Sequence, residues 1–309
     1  HSVRSFQTMP LGPREKNYLK SLITIAKNPF GVKVRLHMID RDTDAKGETL
    51  GTYGIVKGAS TYLGASIKEN DMSELAPLAL GYTLQSVLLG AEKEGLGSVW
   101  LGGTFKRSQF ESLMNIEKDE WFPAVAPVGY AQERRSTADN MLRLMAKSDE
   151  RELWRNIFTE DSFQVQLSEE HAGDYALPLE MLRLAPSSSN GQPWRVVKKD
   201  NRFYFYETHK GSLGRDAVRM KELDLGIGIC HFHLTALAMG LSGHFEHNRL
   251  TDIRLVLLAT GFNARPWDFI ASGDTPLRSS CSFGIAEAYR PTIERAASLA
   301  TAPSSPVAN

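Results

Sequence analysis

The 309-residue chain has only two cysteines, Cys230 and Cys281, too few for a disulfide framework or a zinc-ligand set. It has no net charge, 36 basic residues against 36 acidic ones, so its balance favours neither nucleic acid nor an anionic membrane as partner. No apolar run approaches the roughly 20 residues that span a bilayer, and no signal-peptide pattern opens the chain. These absences predict a cytoplasmic protein. The chain starts at His1 without an initiator methionine, which predicts a trimmed or processed start. No Ser-His-Asp order, paired-carboxylate motif or nucleotidase-type phosphate loop stands out. What is present is ample core material, 42% hydrophobic against 23% charged residues, enough for two domains or one large one.

Residues 185–194 read Ala-Pro-Ser-Ser-Ser-Asn-Gly-Gln-Pro-Trp, directly after the helix-like apolar run Leu179, Met181, Leu182, Leu184. Ser187, Ser188, Ser189, Asn190 and Gln192 offer donors and acceptors, while Pro186 and Pro193 restrict φ and set the path of the chain. Such a loop can hold a planar, heteroatom-rich ring by its edge. The plain alternative is a helix end followed by a polar turn, since Ser, Asn, Gly and Pro dominate turns. A second string, Gly-Leu-Gly-Ser-Val-Trp-Leu-Gly-Gly over 95–103, leaves a long helix for a short strand. Gly102 and Gly103 lack side chains, so a ligand can lie against backbone amides there; a cap or tight bend is the commoner use of such glycines.

The chain also repeats itself. A helical stretch from Gly81 runs through Leu84, Val87 and Leu88, and another from Gly226 runs through Ile229, Phe232 and Leu237. In both, Gly to Ala (Ala91, Ala236) is ten residues and Gly to a Gly-Leu pair (Gly95-Leu96, Gly240-Leu241) is fourteen. Upstream, Leu22 to Ala26 ends a helix before Pro29 and a strand-like Val32 to Leu36; Met181 to Ala185 ends one before Pro186 and a strand-like Trp194 to Val197. This predicts two related units over roughly 12–103 and 172–246, against chance similarity of two helix–strand patterns. Between them, 121–130 reads as a buried strand interrupted by prolines. A charged connector from Glu133 to about His171 holds one predicted helix, Asp149 to Phe158. A further strand is expected over Ile253 to Leu258. The Pro-, Ser-, Ala- and Gly-rich tail from about 263 reads as extended or disordered.

Two of these strings resemble the nitroreductase superfamily, whose flavin-contacting loop carries Ala-Pro-Ser-Ser, an Asn, and Gln-Pro-Trp, and whose Gly-rich strand reads Gly-Leu-Gly-Thr-Cys-Trp-Ile-Gly-Gly. The N-terminus is similar to the family's Arg-x-Ser-x-Arg-x-Phe opening: Ser2, Arg4 and Phe6 match and His1 sits where many members carry His, while the Arg before it has no counterpart here. The resemblance implies an α+β, nitroreductase-like fold, an antiparallel or mixed sheet flanked by helices, with two related halves in one chain. It implies that His1, Ser2, Arg4, Trp100, Leu101, Gly102, Gly103, Pro186, Ser187, Ser188 and Asn190 contact FMN, the Arg fork suiting the phosphate. Arg135, after Val128-Gly129-Tyr130 and Arg134, resembles the family's late phosphate-reaching base.

The order departs from the family, since the Ser-rich loop follows the Gly-rich strand instead of preceding it. Where the first repeat should carry that loop it has Lys27-Asn28-Pro29-Phe30, and Leu241 to Phe245 stands in the second repeat for the Trp-Leu-Gly-Gly strand. That split implies a fused pseudo-dimer, with 1–135 as one half, 136–171 a connector, 172–260 the other half and 261–309 a tail. One flavin per chain is then expected, at the junction of the repeats, in a monomeric pseudo-dimer. The function implied is hydride transfer from NADH or NADPH through FMN to a nitroaromatic, a quinone or a similar small-molecule acceptor, with no side chain needed as catalytic acid or base. The alternatives are a flavin-binding or interaction module without turnover, and another flavin reaction, dehalogenation or flavin fragmentation, with the connector as substrate lid. His231 and His233, two apart on a helix, are read as structural rather than a metal pair, and His244 and His247 as surface residues. Asp216 and Asp224 are read as capping or solvated.

Overall fold

The structure, a computed structural model, describes residues 2–41, 50–133, 144, 147–208, 214–247 and 267–271, the last segment by its backbone. In the first half α1 (Pro13–Ile25) opens on a proline, whose fixed φ and missing N–H suit a first helical turn. It is followed by β1 (Arg35–Asp40), β2 (Thr61–Lys68), α2 (Ala76–Lys93), β3 (Leu96–Ser98), α3 (Arg107–Met114) and β4 (Glu120–Tyr130). The strands form an antiparallel sheet in the order β1-β2-β4-β3. The strand expected over 32–36 thus begins later, at Arg35. β4 runs unbroken through both prolines. Pro123 falls where the β2–β4 register shifts between Ala65 and Ile67, and Pro127 lies between the Ser98–Val128 pair and the Leu101–Val125 bridge. Both positions are interruptions of a ladder, where a missing N–H is tolerated.

The second half contains α4 (Trp154–Ile157), β5 (Phe158–Glu160), α5 (Glu169–Ala172), α6 (Ala176–Leu184), β6 (Trp194–Lys199), β7 (Arg202–Glu207), α7 (Arg215–Ala238), β8 (Gly243–His247) and β9 (Trp267–Ala271). Its sheet has the order β5-β6-β7-β9-β8, parallel at β5–β6 and antiparallel elsewhere. The helix expected over Asp149–Phe158 is a single turn, because Phe158 pairs with Val196 as a strand. Part of the tail, Trp267–Ala271, is a strand between β7 and β8, while the strand expected over 253–258 lies outside the described residues. The α+β fold with antiparallel and mixed sheets is the one the resemblance implied.

Gly81 and Gly226 do not start their helices; they lie inside α2 and α7, where the two cross. A Cβ on Gly81 would sit 2.1 Å from the Leu223 carbonyl oxygen, and one on Gly226 would sit 2.0 Å from that of Leu78. Leu223 is three residues before Gly226 and Leu78 three before Gly81, so the contact is reciprocal, as across a two-fold axis. One hydrophobic core runs through this crossing, from Leu19, Leu63 and Val128 in the first half to Trp194, Phe205 and Phe232 in the second. Among the described residues no helix is long and apolar enough to cross a membrane.

Candidate functional site

Three segments far apart in sequence meet beside the α2–α7 crossing. The N-terminal segment is pinned by backbone bonds: Val3 N–H donates to Ser98 O at 2.9 Å, Lys57 N–H to Arg4 O at 2.9 Å, and Phe6 N–H to Lys57 O at 2.8 Å. The fully buried Phe6 ring locks it down, which brings Ser2 and Arg4 beside the exit of β3. There Leu101 exchanges both backbone bonds with Val125 (2.9 and 3.1 Å), fixing the strand that carries Trp100, Gly102 and Gly103. The third segment is the turn after α6. It is tightly bent, with Ser189, Asn190 and Gln192 at positive φ of 51°, 55° and 43°. Such left-handed backbone costs on the order of 1 kcal/mol per non-glycine residue and persists only where neighbours enforce it. Ser187 Oγ supplies one such tie, accepting the Gln192 N–H at 2.9 Å.

These segments enclose a cavity of about 450 Å³, within the range of small-molecule sites. Ser2, Arg4, Trp100, Leu101, Gly102 and Gly103 line it from the first half, and Pro186, Ser187, Ser188 and Asn190 from the second. Of the twelve residues expected at a flavin, ten therefore converge on one space, and His1 and Arg135 lie outside the described residues. Gly103 leaves open room where a side chain would project, and only the flexible Met220 methyl approaches the corresponding position on Gly102.

Similarity to known proteins places the chain in a family. A family model described as "Putative TM nitroreductase" matches residues 1–236, three quarters of the chain. The chain belongs to this nitroreductase family. It is similar to a solved structure of a putative nitroreductase from Thermotoga maritima, at 16% identity and a TM-score of 0.54, covering 87% of this chain and 89% of that one. Weaker likenesses include an FMN-dependent nitroreductase from Clostridium difficile R20291 (13% identity, TM-score 0.35, 44% of this chain and 86% of that one). A putative NADH oxidase from Clostridium acetobutylicum stands similarly, at 17% identity and a TM-score of 0.34, over 44% of this chain and 86% of that one. No curated protein matches the sequence.

In this family member the connector is part of the site. Arg151, which sequence reasoning missed, lines the cavity; its Nη1 donates to Asn190 Oδ1 at 3.1 Å and to Ser148 O at 2.9 Å. The Asn190 amide returns two bonds, to Lys147 O at 2.7 Å and Glu150 O at 3.0 Å, and Glu152 N–H donates to Gln192 Oε1 at 2.8 Å. The carboxamides of Asn190 and Gln192 thus clamp 147–152 onto the turn, and Asn190 borders the cavity beside Pro186 and the serines of 187–189. Nothing in the charged run Asp149 to Glu152 marks Arg151 in the sequence, since such runs usually form a solvated face.

Asp224 overturns its expectation as a capping or solvated residue. It is 4% exposed and lines the cavity with Met220, Leu223 and Ile227. The Ser188 backbone N–H donates to both its Oδ atoms at 3.0 Å. Burial lifts the carboxyl to about 7, with the Ser188 N–H and the Lys221 charge opposing the shift. Its signal in the sequence was a lone acid within the apolar stretch Leu223 to Ile227. Asp216 sits in the exposed first turn of α7, as expected.

The buried helical histidines are structural, bonded across the crossing. Trp100 Nε1–H donates to Gln85 Oε1 at 2.7 Å, which turns the Gln85 amide nitrogen to His231 Nε2 at 3.0 Å. The indole can only donate, so His231 Nε2 must accept and its proton resides on Nδ1. His233 Nδ1 meets the Tyr82 hydroxyl at 2.8 Å. On that side of the crossing, the turn 27–30 and β8 stand where the cavity has the Ser-rich turn and the Gly-rich strand. Rings meet there: Phe30 packs edge-on against Tyr82 (5.8 Å) and Phe245 (5.6 Å), and Phe245 packs against His233 (5.0 Å). His244 is exposed and bonds Glu246 at 3.1 Å.

Proposed function

We propose that this chain is an FMN-dependent oxidoreductase that accepts hydride from NADH or NADPH and reduces a nitroaromatic, a quinone or a similar small acceptor. The observation that carries the reading is the convergence of Arg4, the Trp100–Gly103 strand and the 186–190 turn on one cavity. The chemistry of the lining fits the cofactor. Arg4 offers a charged fork to a phosphate, the two glycines leave a floor of backbone amides, and Trp100, Met220, Leu223 and Ile227 offer apolar surface to a planar ring. A bound flavin supplies the two-electron hydride chemistry of such a site. The protein's own part is position: the Arg151–Asn190 clamp sets the turn, and the Gln85–His231 chain orients the Trp100 wall. No side chain is assigned as a catalytic acid or base.

The packing of Phe30 against Tyr82 and Phe245 supports one flavin per chain. The pseudo-dimer, with halves 1–135 and 172–260, is read as monomeric and cytoplasmic. Protein reconstituted with FMN is expected to be yellow, to bleach anaerobically with NADH or NADPH, and to regain colour on adding a nitroaromatic. Flavin that binds but resists bleaching by both nicotinamides would favour a binding module without turnover.

A further inference from the structure

Three charged side chains line the cavity among the described residues: the guanidiniums of Arg4 and Arg151 and the carboxyl of Asp224. The acid is nearly closed off from solvent and receives the Ser188 N–H on both oxygens. The elements around it bring little further charge. Lys221 lies one turn back on α7, with its Nζ donating to Thr208 O at 3.0 Å, and the buried Glu207 lies at the end of β7. The buried faces of α2 and α6 that pack on α7 are uncharged throughout, and so are the residues of the 188–190 turn. Among the described residues, the Asp224 carboxylate is therefore the one acidic group that an anion entering the cavity meets.

We propose that Asp224 is the proton acceptor of this site: an anionic ligand binds in the cavity together with a proton, which the Asp224 carboxylate takes up. The inference rests on the reading of the cavity as a flavin mononucleotide site. The step forms one O–H bond on Asp224 at the expense of a solvent proton and moves no electrons. Protonation removes the negative charge that would repel the ligand's phosphate. One oxygen can still accept the Ser188 N–H while the other becomes a hydrogen-bond donor within the cavity. Burial already holds the group near neutrality, so a nearby phosphate dianion and the exclusion of water by a ring raise it further. A group whose affinity for a proton rises on binding draws that proton in by linkage.

Calorimetric titration with FMN at pH 8, in two buffers of contrasting ionisation enthalpy, tests this. The phosphate monoester titrates near pH 6 and is silent at pH 8. Uptake of about half a proton or more per FMN is expected for the wild type, falling close to zero in Asp224→Asn. The wild-type dissociation constant should also weaken by up to about tenfold from pH 8 to pH 9, a readout that does not depend on the variant folding. No uptake and a flat affinity in the wild type, or equal uptake in Asp224→Asn, overturns the proposal. Failure of FMN to bind at all overturns the cavity's reading, and this inference with it.

Discussion

Gly226→Ala and Gly81→Ala are each expected to destabilise the protein by about 3 kcal/mol or more, the scale of a severe overpacking defect. The added methyl would lie 2.0 or 2.1 Å from a backbone carbonyl oxygen of the opposing helix, and backbone cannot swing aside as a side-chain end can. Relief requires α2 and α7 to separate, which opens the core shared by both halves and displaces Leu223 and Asp224 from the cavity wall. Gly103→Ala is the control. It meets nothing within 4 Å, so its denaturation midpoint should stay within about 0.5 kcal/mol of wild type. Equal midpoints for Gly226→Ala and Gly103→Ala would refute the close crossing.

Acidification is expected to separate the wild type from Asp224→Asn. His231 and His233 are held neutral by burial, at about 3 and about 4. Below pH 6.5 the unfolded chain binds protons there that the folded chain refuses, so stability present above pH 6.5 is lost as pH falls. Asp224 has the opposite slope. Its folded value is raised to about 7, so its contribution is complete below the unfolded value near 3.8 and is lost as pH rises through about 7. From pH 7 to pH 5 the two histidines together cost about 4 kcal/mol and Asp224 offsets about 2. Urea unfolding of flavin-free protein should therefore show a loss about 2 kcal/mol larger in Asp224→Asn, in which the amide oxygen still accepts the Ser188 N–H, than in the wild type. Parallel pH dependence in the two proteins would contradict the buried, proton-holding carboxyl.

The equal spacings from Gly81 to Ala91 and from Gly226 to Ala236 made the repeat legible in the sequence, but not that these glycines lie mid-helix at a crossing, since that depends on the opposing backbone. The two cavity-lining strings were legible because the prolines and serines of a turn and the bare backbone of Gly102-Gly103 are local features of the sequence. Less visible was what depends on distant partners. Asn190 and Gln192 advertise ligand contacts, yet their amides bind the connector, and nothing local announces Arg151 at the other end. Asp224 was passed over because one acid on a helix usually faces water, and its burial follows from α7 packing against α2 and α6. The strand Trp267–Ala271 was hidden by the Pro- and Ser-rich composition around it. The ring cluster of Phe30, Tyr82 and Phe245 joins three segments that share no motif.

Equilibrium titration of flavin-free protein with FMN, followed by quenching of flavin fluorescence, tests most directly whether both halves of one chain build one cofactor site. Saturation at one FMN per chain is the predicted result. Saturation at two per chain would mean that the counterpart where Phe30, Tyr82 and Phe245 meet is a working site, and absence of binding would remove the flavin from the account.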